Sequence, residues 1–211
     1  MKALTKKLTR EEVVQALYVD YEGNMDLPPT LLGWRVDGAN FGAIVDQSFA
    51  TCADRYRASG VLRRDHGELV QELIARAEAE QRRLVSWSEH DCRQMLAVLP
   101  DPDWQMRLHA VYRNAIKTAR PWYRSVYGES PPKAELQHFL ICLGHPPPER
   151  YGQGVVGSAL RLLRTQLSEG RTYPELTPKA RKGWVQVVKH NRLDLEGMEV
   201  VLRSATAHWL I

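Results

Sequence analysis

The chain has 211 residues, 44% hydrophobic and 26% charged, with a formal net charge of +4. This composition excludes a disordered chain and gives one domain a core of ordinary size. No apolar stretch reaches the roughly 18–20 residues of a bilayer span, and Glu11 and Glu12 interrupt the basic N-terminus before any apolar run, so neither membrane anchorage nor a signal peptide is expected.

Residues 1–13 read as a short helix or lead-in, followed by a first strand over about 16–21. Gly23 to Thr30, with its glycine and paired prolines, is a loop. A second strand over 31–36, an Asp37-Gly38 turn and a third strand over 42–49 make an antiparallel meander. The period then lengthens: Leu69, Val70, Leu73, Ile74 and Ala77 line one side of a helix over 67–82. Leu84-Val85-Ser86-Trp87 is a short buried strand, and after a helix it can lie parallel to the first strand. A helix over 89–99 stops at Pro100. Within 104–127, the part near Leu108 to Tyr112 reads as a fifth strand and the rest as helix. The remainder is helical, over 133–143, over 154–168, from Pro178 with Thr177 as N-cap, and over about 189–208. The pattern gives an α/β fold with a mixed five-stranded sheet, three antiparallel strands then parallel ones, flanked by helices. The C-terminal half is helical, and one domain covers 1–211 with its core at about 14–203.

In Tyr18-Val19-Asp20-Tyr21-Glu22, two carboxylates stand two residues apart, and residues at that spacing share one face of a strand. Acids are poor strand formers, and like charges on one face repel unless a cation separates them. A divalent metal is the simplest such cation, because Mg²⁺ takes one or two carboxylates plus waters and phosphate oxygens. Two hydrated acids at a strand end are the plainer alternative.

Asp91 stands where the fourth strand gives way to a helix, at the kind of strand end where open sheets build sites. A helix dipole favours a first-turn acid there without any site, and Glu89 is the neighbouring candidate. Near the C-terminus, His190 and Asp194 share a helix face at i and i+4. Val187, Leu193, Met198 and Val201 mark an apolar face beside them. An acid so placed needs a partner, either a metal ion or a local base such as Lys189 or Arg192.

An Asp-x-Glu strand, an acid after a mid-chain strand and a His-x-x-x-Asp helix, in this order, resemble the four-carboxylate (DEDD) exonucleases of the ribonuclease H-like superfamily. His190-Asn191-Arg192-Leu193-Asp194-Leu195-Glu196 is similar to the last motif of predicted bacterial members, which read Tyr-Asn-Arg-His-Asp-Val-Glu or similar. One subgroup has tyrosine four residues before the final acid and the other has histidine five before it. Here histidine stands four before.

The resemblance spans about 14–202 and implies a ribonuclease H-like fold. It implies that Asp20, Glu22, Asp91 and Asp194 hold two divalent ions, Mg²⁺ or Mn²⁺, and that His190 is the general base for an attacking water. Two such ions ~3.5–4 Å apart activate the water and stabilise the leaving oxygen. Four acids select hard cations, and a histidine of ordinary pKa, ~6.5, can accept the proton.

Nucleic acid is the expected partner. From Met106 to Ile211 the charge balance is +8, whereas the preceding residues carry −4. A basic half facing an acid cluster suits a polyanion. The candidate contacts are Arg161 and Arg164, then Lys179, Arg181, Lys182, Lys189 and Arg192, though each taken singly reads as a solvated charge. Tyr151-Gly152-Gln153-Gly154, ahead of a helix, offers backbone N–H groups to a phosphate or is a plain glycine loop. Cys52, Cys92 and Cys142 show no metal-ligand spacing and read as reduced thiols of a cytoplasmic protein.

The expected activity is metal-dependent hydrolysis of DNA or RNA phosphodiesters, as a 3′–5′ exonuclease. A catalytically inactive nucleic-acid-binding domain of the same fold and a small-nucleotide phosphohydrolase are the alternatives.

Overall fold

A capping box starts the first helix: Thr9 and Glu12 exchange side-chain and backbone hydrogen bonds across the first turn of α1 (Arg10–Val14). In the computed structural model, residues 6–24, 27–55, 61–148 and 154–207 are described. β1 (Leu17–Glu22), β2 (Leu31–Val36) and β3 (Ala39–Ile44) form the antiparallel meander. Asp37 and Gly38 turn the hairpin with φ of 50° and 80°, the two positive values that a tight type I′ turn requires.

A 3-10 turn (Gln47–Phe49) and α2 (Ala50–Arg55) lead to β4 (Val61–Arg63), which pairs parallel with β3. α3 (His66–Ala79) returns the chain to β5 (Leu84–Ser86), parallel to β1. α4 (Glu89–Leu96) and α5 (Pro102–Val111) then bring β6 (Tyr112–Asn114) alongside β5, again parallel. The remaining helices are α6 (Ile116–Tyr127), α7 (Leu136–Cys142), α8 (Val155–Ser168) and α9 (Pro178–Ala207).

The sheet order is β4-β3-β2-β1-β5-β6. It has six strands rather than the five expected, because β4 adds to the outer edge of β3. β4 has three residues of which only Val61 is buried, too few to show an alternation. The expected strand at Leu108 to Tyr112 is corrected as well. Leu108 lies in α5, whose first turn is fixed by Asp101 accepting from Trp104 N at 3.0 Å, and the strand begins at Tyr112. Phe49 leaves the third strand for the 3-10 turn.

The two C-terminal helices expected from Pro178 and over 189–208 are one helix of 30 residues, α9. Thr177 Oγ1 accepts from Ala180 N at 3.3 Å at its start. Its internal glycines are packing positions rather than breaks. A Cβ at Gly183 would lie 3.1 Å from Ala159 Cβ, and one at Gly197 would lie 2.8 Å from Leu140 Cδ1.

The sheet is covered on both faces. Leu17 and Val19 of β1 pack with Leu69, Val70, Leu73 and Ile74 of α3 on one side. On the other side Tyr18 packs with Leu195, Met198, Val201 and Leu202 of α9. Nearer its start, α9 buries Trp184 and Val187 among Leu31, Ile44, Leu160 and Leu163. Among the described residues no helix is long and apolar enough to cross a membrane. Cys52 and Cys92 are buried, Cys142 is half-buried, and all three are free thiols.

Candidate metal centre

Strand alternation decides where the acids go. Leu17, Val19 and Tyr21 of β1 belong to the α3 side, and Tyr18 belongs to the α9 side. Asp20 and Glu22 therefore turn to α9. There His190 Nδ1 lies 2.9 Å from Glu22 Oε1 and 3.5 Å from Asp194 Oδ2. The i,i+4 spacing puts His190 and Asp194 one turn apart on the same helix face. Glu22, His190 and Asp194 each offer a ligand atom, all within 4.8 Å of one another.

Asp91 arrives from α4. Ser88 is the N-cap, and Asp91 Oδ2 accepts from Ser88 N at 3.3 Å and from Ser88 Oγ at 3.2 Å, closing a capping box. The hydroxyls of Ser86 and Tyr112 both donate to the carbonyl of Ser88, at 2.9 and 2.8 Å. Helix capping therefore accounts for the orientation of Asp91, and its charge is felt by Asp20, Glu22 and Asp194. Glu89, the neighbouring candidate, is exposed and pairs with Lys117 at 3.5 Å.

These carboxyls are crowded. Burial pushes Asp20 well above the usual carboxylate range, the charges of Glu22, Asp194 and Asp91 add to the rise, and a hydrogen bond from Asn191 opposes it. Asp194 is pushed up to about 7, first by burial and then by Glu22 and Asp91, against the pull of His190. Burial also raises Glu22, with His190 opposing, and raises Asp91, with Ser88 opposing. Glu22 and Asp91 are 6% and 5% exposed, so water does little to relieve the repulsion. Carboxylates with one imidazole are the donors that hard or borderline divalent cations take. Glu22, His190 and Asp194 fit such an ion, while Asp20 and Asp91 lie outside this group and act on it by charge; an ion's charge would replace mutual repulsion by attraction.

Two residues that the sequence patterns did not single out also reach this site. Asn191 Nδ2 donates to Asp20 Oδ2 at 2.9 Å and to the Asp20 carbonyl at 3.0 Å. Tyr112 reaches it indirectly through Ser88. A polar residue directly after His190 and a hydroxyl on a buried strand were the available signals. A cleft of about 210 Å³ opens beside Glu22, lined by Tyr21, Asn24, Leu27, His90 and Gln94 among others.

The basic residues proposed to hold nucleic acid divide into two kinds. Arg161, Lys182 and Lys189 are exposed on α8 and α9, and Arg192 is half-buried. Lys179 lines a groove of about 630 Å³ between α8 and α9 with Ser158 and Gln186. Arg181 donates to the Pro174 carbonyl at 2.9 Å. Arg164 is committed internally: it pairs with Asp46 at 2.9 Å, donates to Thr30 Oγ1 at 3.3 Å and lies over the Phe49 ring. It fastens α8 to the segment after β3. Of the glycine-rich loop considered for phosphate, residues 151–153 lie outside the described residues.

No protein-family model matches the chain, and no curated protein or solved structure matches it.

Proposed function

We propose that the protein is a metal-dependent nuclease of ribonuclease H-like fold that hydrolyses phosphodiester bonds of DNA or RNA as a 3′–5′ exonuclease. The observation that carries this reading is the meeting of β1 and α9, with ligand atoms of Glu22, His190 and Asp194 within 4.8 Å of one another, and with the charge of Asp91 from α4 felt at the same carboxyls. The sheet supports it: β1 is flanked by its antiparallel meander on one side and by parallel β5 and β6 on the other, the arrangement that the resemblance implies.

Asp20, Glu22, Asp91 and Asp194 would hold the ions. Bound Mg²⁺ or Mn²⁺ supplies water acidification at neutral pH and charge neutralisation at the phosphate. The chain's own part is positioning and proton transfer. Glu22 orients the His190 ring through Nδ1 at 2.9 Å. When Nδ1 carries the hydrogen of the neutral ring, Nε2 is the basic atom and takes the water's proton. The exposed cations Arg161, Lys182 and Lys189 hold the polyanion by charge, so binding weakens with salt.

The test is incubation of 3′- and 5′-labelled DNA and RNA oligonucleotides with Mn²⁺, using the wild type and Asp20→Asn. Metal-dependent shortening from the 3′ end, absent in the variant, is the expected result. Salt-sensitive binding without cleavage would make this a noncatalytic nucleic-acid-binding domain. Hydrolysis of free nucleotides alone would make it a small-molecule phosphohydrolase.

A further inference from the structure

Gly33 is directly opposite Asp20 in the β1–β2 register. A glycine inside a strand gives up backbone entropy and side-chain packing, and it marks a place where another group comes close. The group here is Asn191 of α9. A Cβ on residue 33 would sit 1.7 Å from Asn191 Oδ1 and 2.6 Å from its Cγ. The space that Gly33 leaves unfilled is the space that the Asn191 amide occupies. Asn191 is 2% exposed, and both hydrogen bonds found for its Nδ2 end on one residue, Asp20.

We infer that Asn191 and Gly33 act together as a positioning pair for Asp20, fixing its carboxylate for metal binding. This inference rests on the metal-centre reading above. One amide bonded to both the backbone oxygen and the side-chain oxygen of a residue restricts the rotation between them, so Asp20 is held in a single rotamer before any ion arrives. The Asn191 bond engages Oδ2 and not Oδ1.

The residue type suits this task. Aspartate at 191 would add another negative charge to a crowded site. A lysine there would pair with Asp20 and compete with the ion. The asparagine amide donates without bringing a charge of either sign, and only glycine at 33 admits it. A purely structural account makes Asn191 a satisfied buried amide joining α9 to the sheet. That account predicts that removing it changes stability and leaves ion affinity as it was.

The experiment is calorimetric titration of the full chain with Mn²⁺, with a thermal melt of each variant to establish that it is folded. Asn191→Ala removes the amide, and Asn191→Leu replaces it with a donor-free side chain of similar branching. Gly33→Ala pushes the amide out of its space. Each is expected to weaken Mn²⁺ binding by roughly 10–100-fold, the usual effect of losing a group that orients a ligand. The double variant Gly33→Ala/Asn191→Ala is expected to bind no worse than either single one, because the added methyl enters the space that the amide has vacated.

Unchanged Mn²⁺ affinity in folded Asn191→Ala and Asn191→Leu, with the wild type binding well, would overturn the inference and leave the metal centre standing. Additive losses in the double variant would overturn the pairing of the two residues. A wild type that binds no Mn²⁺ would remove the metal centre and this inference with it.

Discussion

The two faces of β1 follow opposite rules. Toward α3, Leu17 and Val19 are fully buried among aliphatic side chains, and every contact favours the folded state. Toward α9, Asp20 and Glu22 are held close to Asp91 and Asp194, and burial and like charge drive these carboxyls to take up protons. One face supplies stability and the other gives some of it up. A folded chain keeps such a repulsive cluster when a ligand relieves it, which is the physical content of the metal-centre reading. The comparison predicts that substitutions on the two faces separate stability from function.

The largest separation is expected on the acid face. On the proposed function, Asp20→Asn or Asp194→Asn removes a metal ligand outright, so Mg²⁺-dependent cleavage should fall by more than the ~100-fold that bounds the loss of an orienting partner. The melting temperature of either variant without metal should equal or exceed that of the wild type, since repulsion is relieved. Full activity in Asp194→Asn would break the site assignment. His190→Ala should lower kcat by roughly 10²-fold, the lower end of what a positioned general base supplies, with little change in KM. An unchanged kcat would remove His190 from the mechanism.

The opposite face should do the reverse. Ile74 of α3 is completely buried among Leu17, Val19 and their neighbours. Ile74→Ala should cost about 2–5 kcal/mol in unfolding free energy while Mn²⁺ affinity at 20 °C stays as in the wild type. Denaturant melts and metal titrations of the same preparation read both quantities. A parallel loss of metal affinity would mean that the two faces of β1 are mechanically coupled.

A smaller effect sharpens the comparison through pH. Asp194 is pushed up to about 7 in the fold, against ~3.9 for an unfolded aspartate. A raised folded pKa means that the native state binds the proton more tightly. Its contribution to stability is complete below pH ~4 and is lost as pH rises toward about 7. The metal-free wild type should therefore lose stability across that window relative to Asp194→Asn, and the two melting curves should converge at the acid end. Burial raises Asp194 most, Glu22 and Asp91 add to it and His190 opposes them; a bound Mn²⁺ would favour the charged form against all of these, so it should abolish the wild-type loss. A metal-free difference independent of pH would mean that Asp194 is not strained.

The local placement of the candidate site's side chains was more legible in the sequence than the outer edge of the sheet. Asp20 and Glu22 follow from the period of two in a strand, and His190 and Asp194 from the period of 3.6 in a helix. Both periods act locally and survive into the fold. Ser88 and Asp91 mark a helix start for the same reason. β4 was not legible because three residues show no period, and its pairing with β3 is a long-range fact. The unity of α9 was not legible either: the stretch between a helix start at Pro178 and a helix over 189–208 carries Gly183, which packs against Ala159 in the fold. Asn191 was hidden similarly. Its partner Gly33 lies 158 positions earlier in the chain, and no local pattern connects a strand glycine to a helix amide. Arg164 shows the converse limit, since charge alone did not reveal that Asp46 and Thr30 claim it.

The smallest expected effect concerns Asp91, which serves the helix and the cluster at once. Ser88→Ala removes the hydroxyl that accepts from His90 N at 3.2 Å and donates to Asp91 Oδ2 at 3.2 Å. As a lost N-cap it should cost about 1 kcal/mol. The backbone N–H of Ser88 still reaches Asp91 Oδ2 at 3.3 Å, so the carboxylate keeps one tether and Mn²⁺ affinity should fall only severalfold. Asp91→Asn is the informative companion. Its amide oxygen can still accept from Ser88, so the cap and the stability should survive, but the negative charge is gone. If Asp91 only caps α4, both variants leave Mn²⁺ binding untouched. If it also belongs to the metal centre, Asp91→Asn should lose far more affinity than Ser88→Ala while melting at a higher temperature. That inversion, the more stable variant being the weaker binder, is what separates a ligand from a cap.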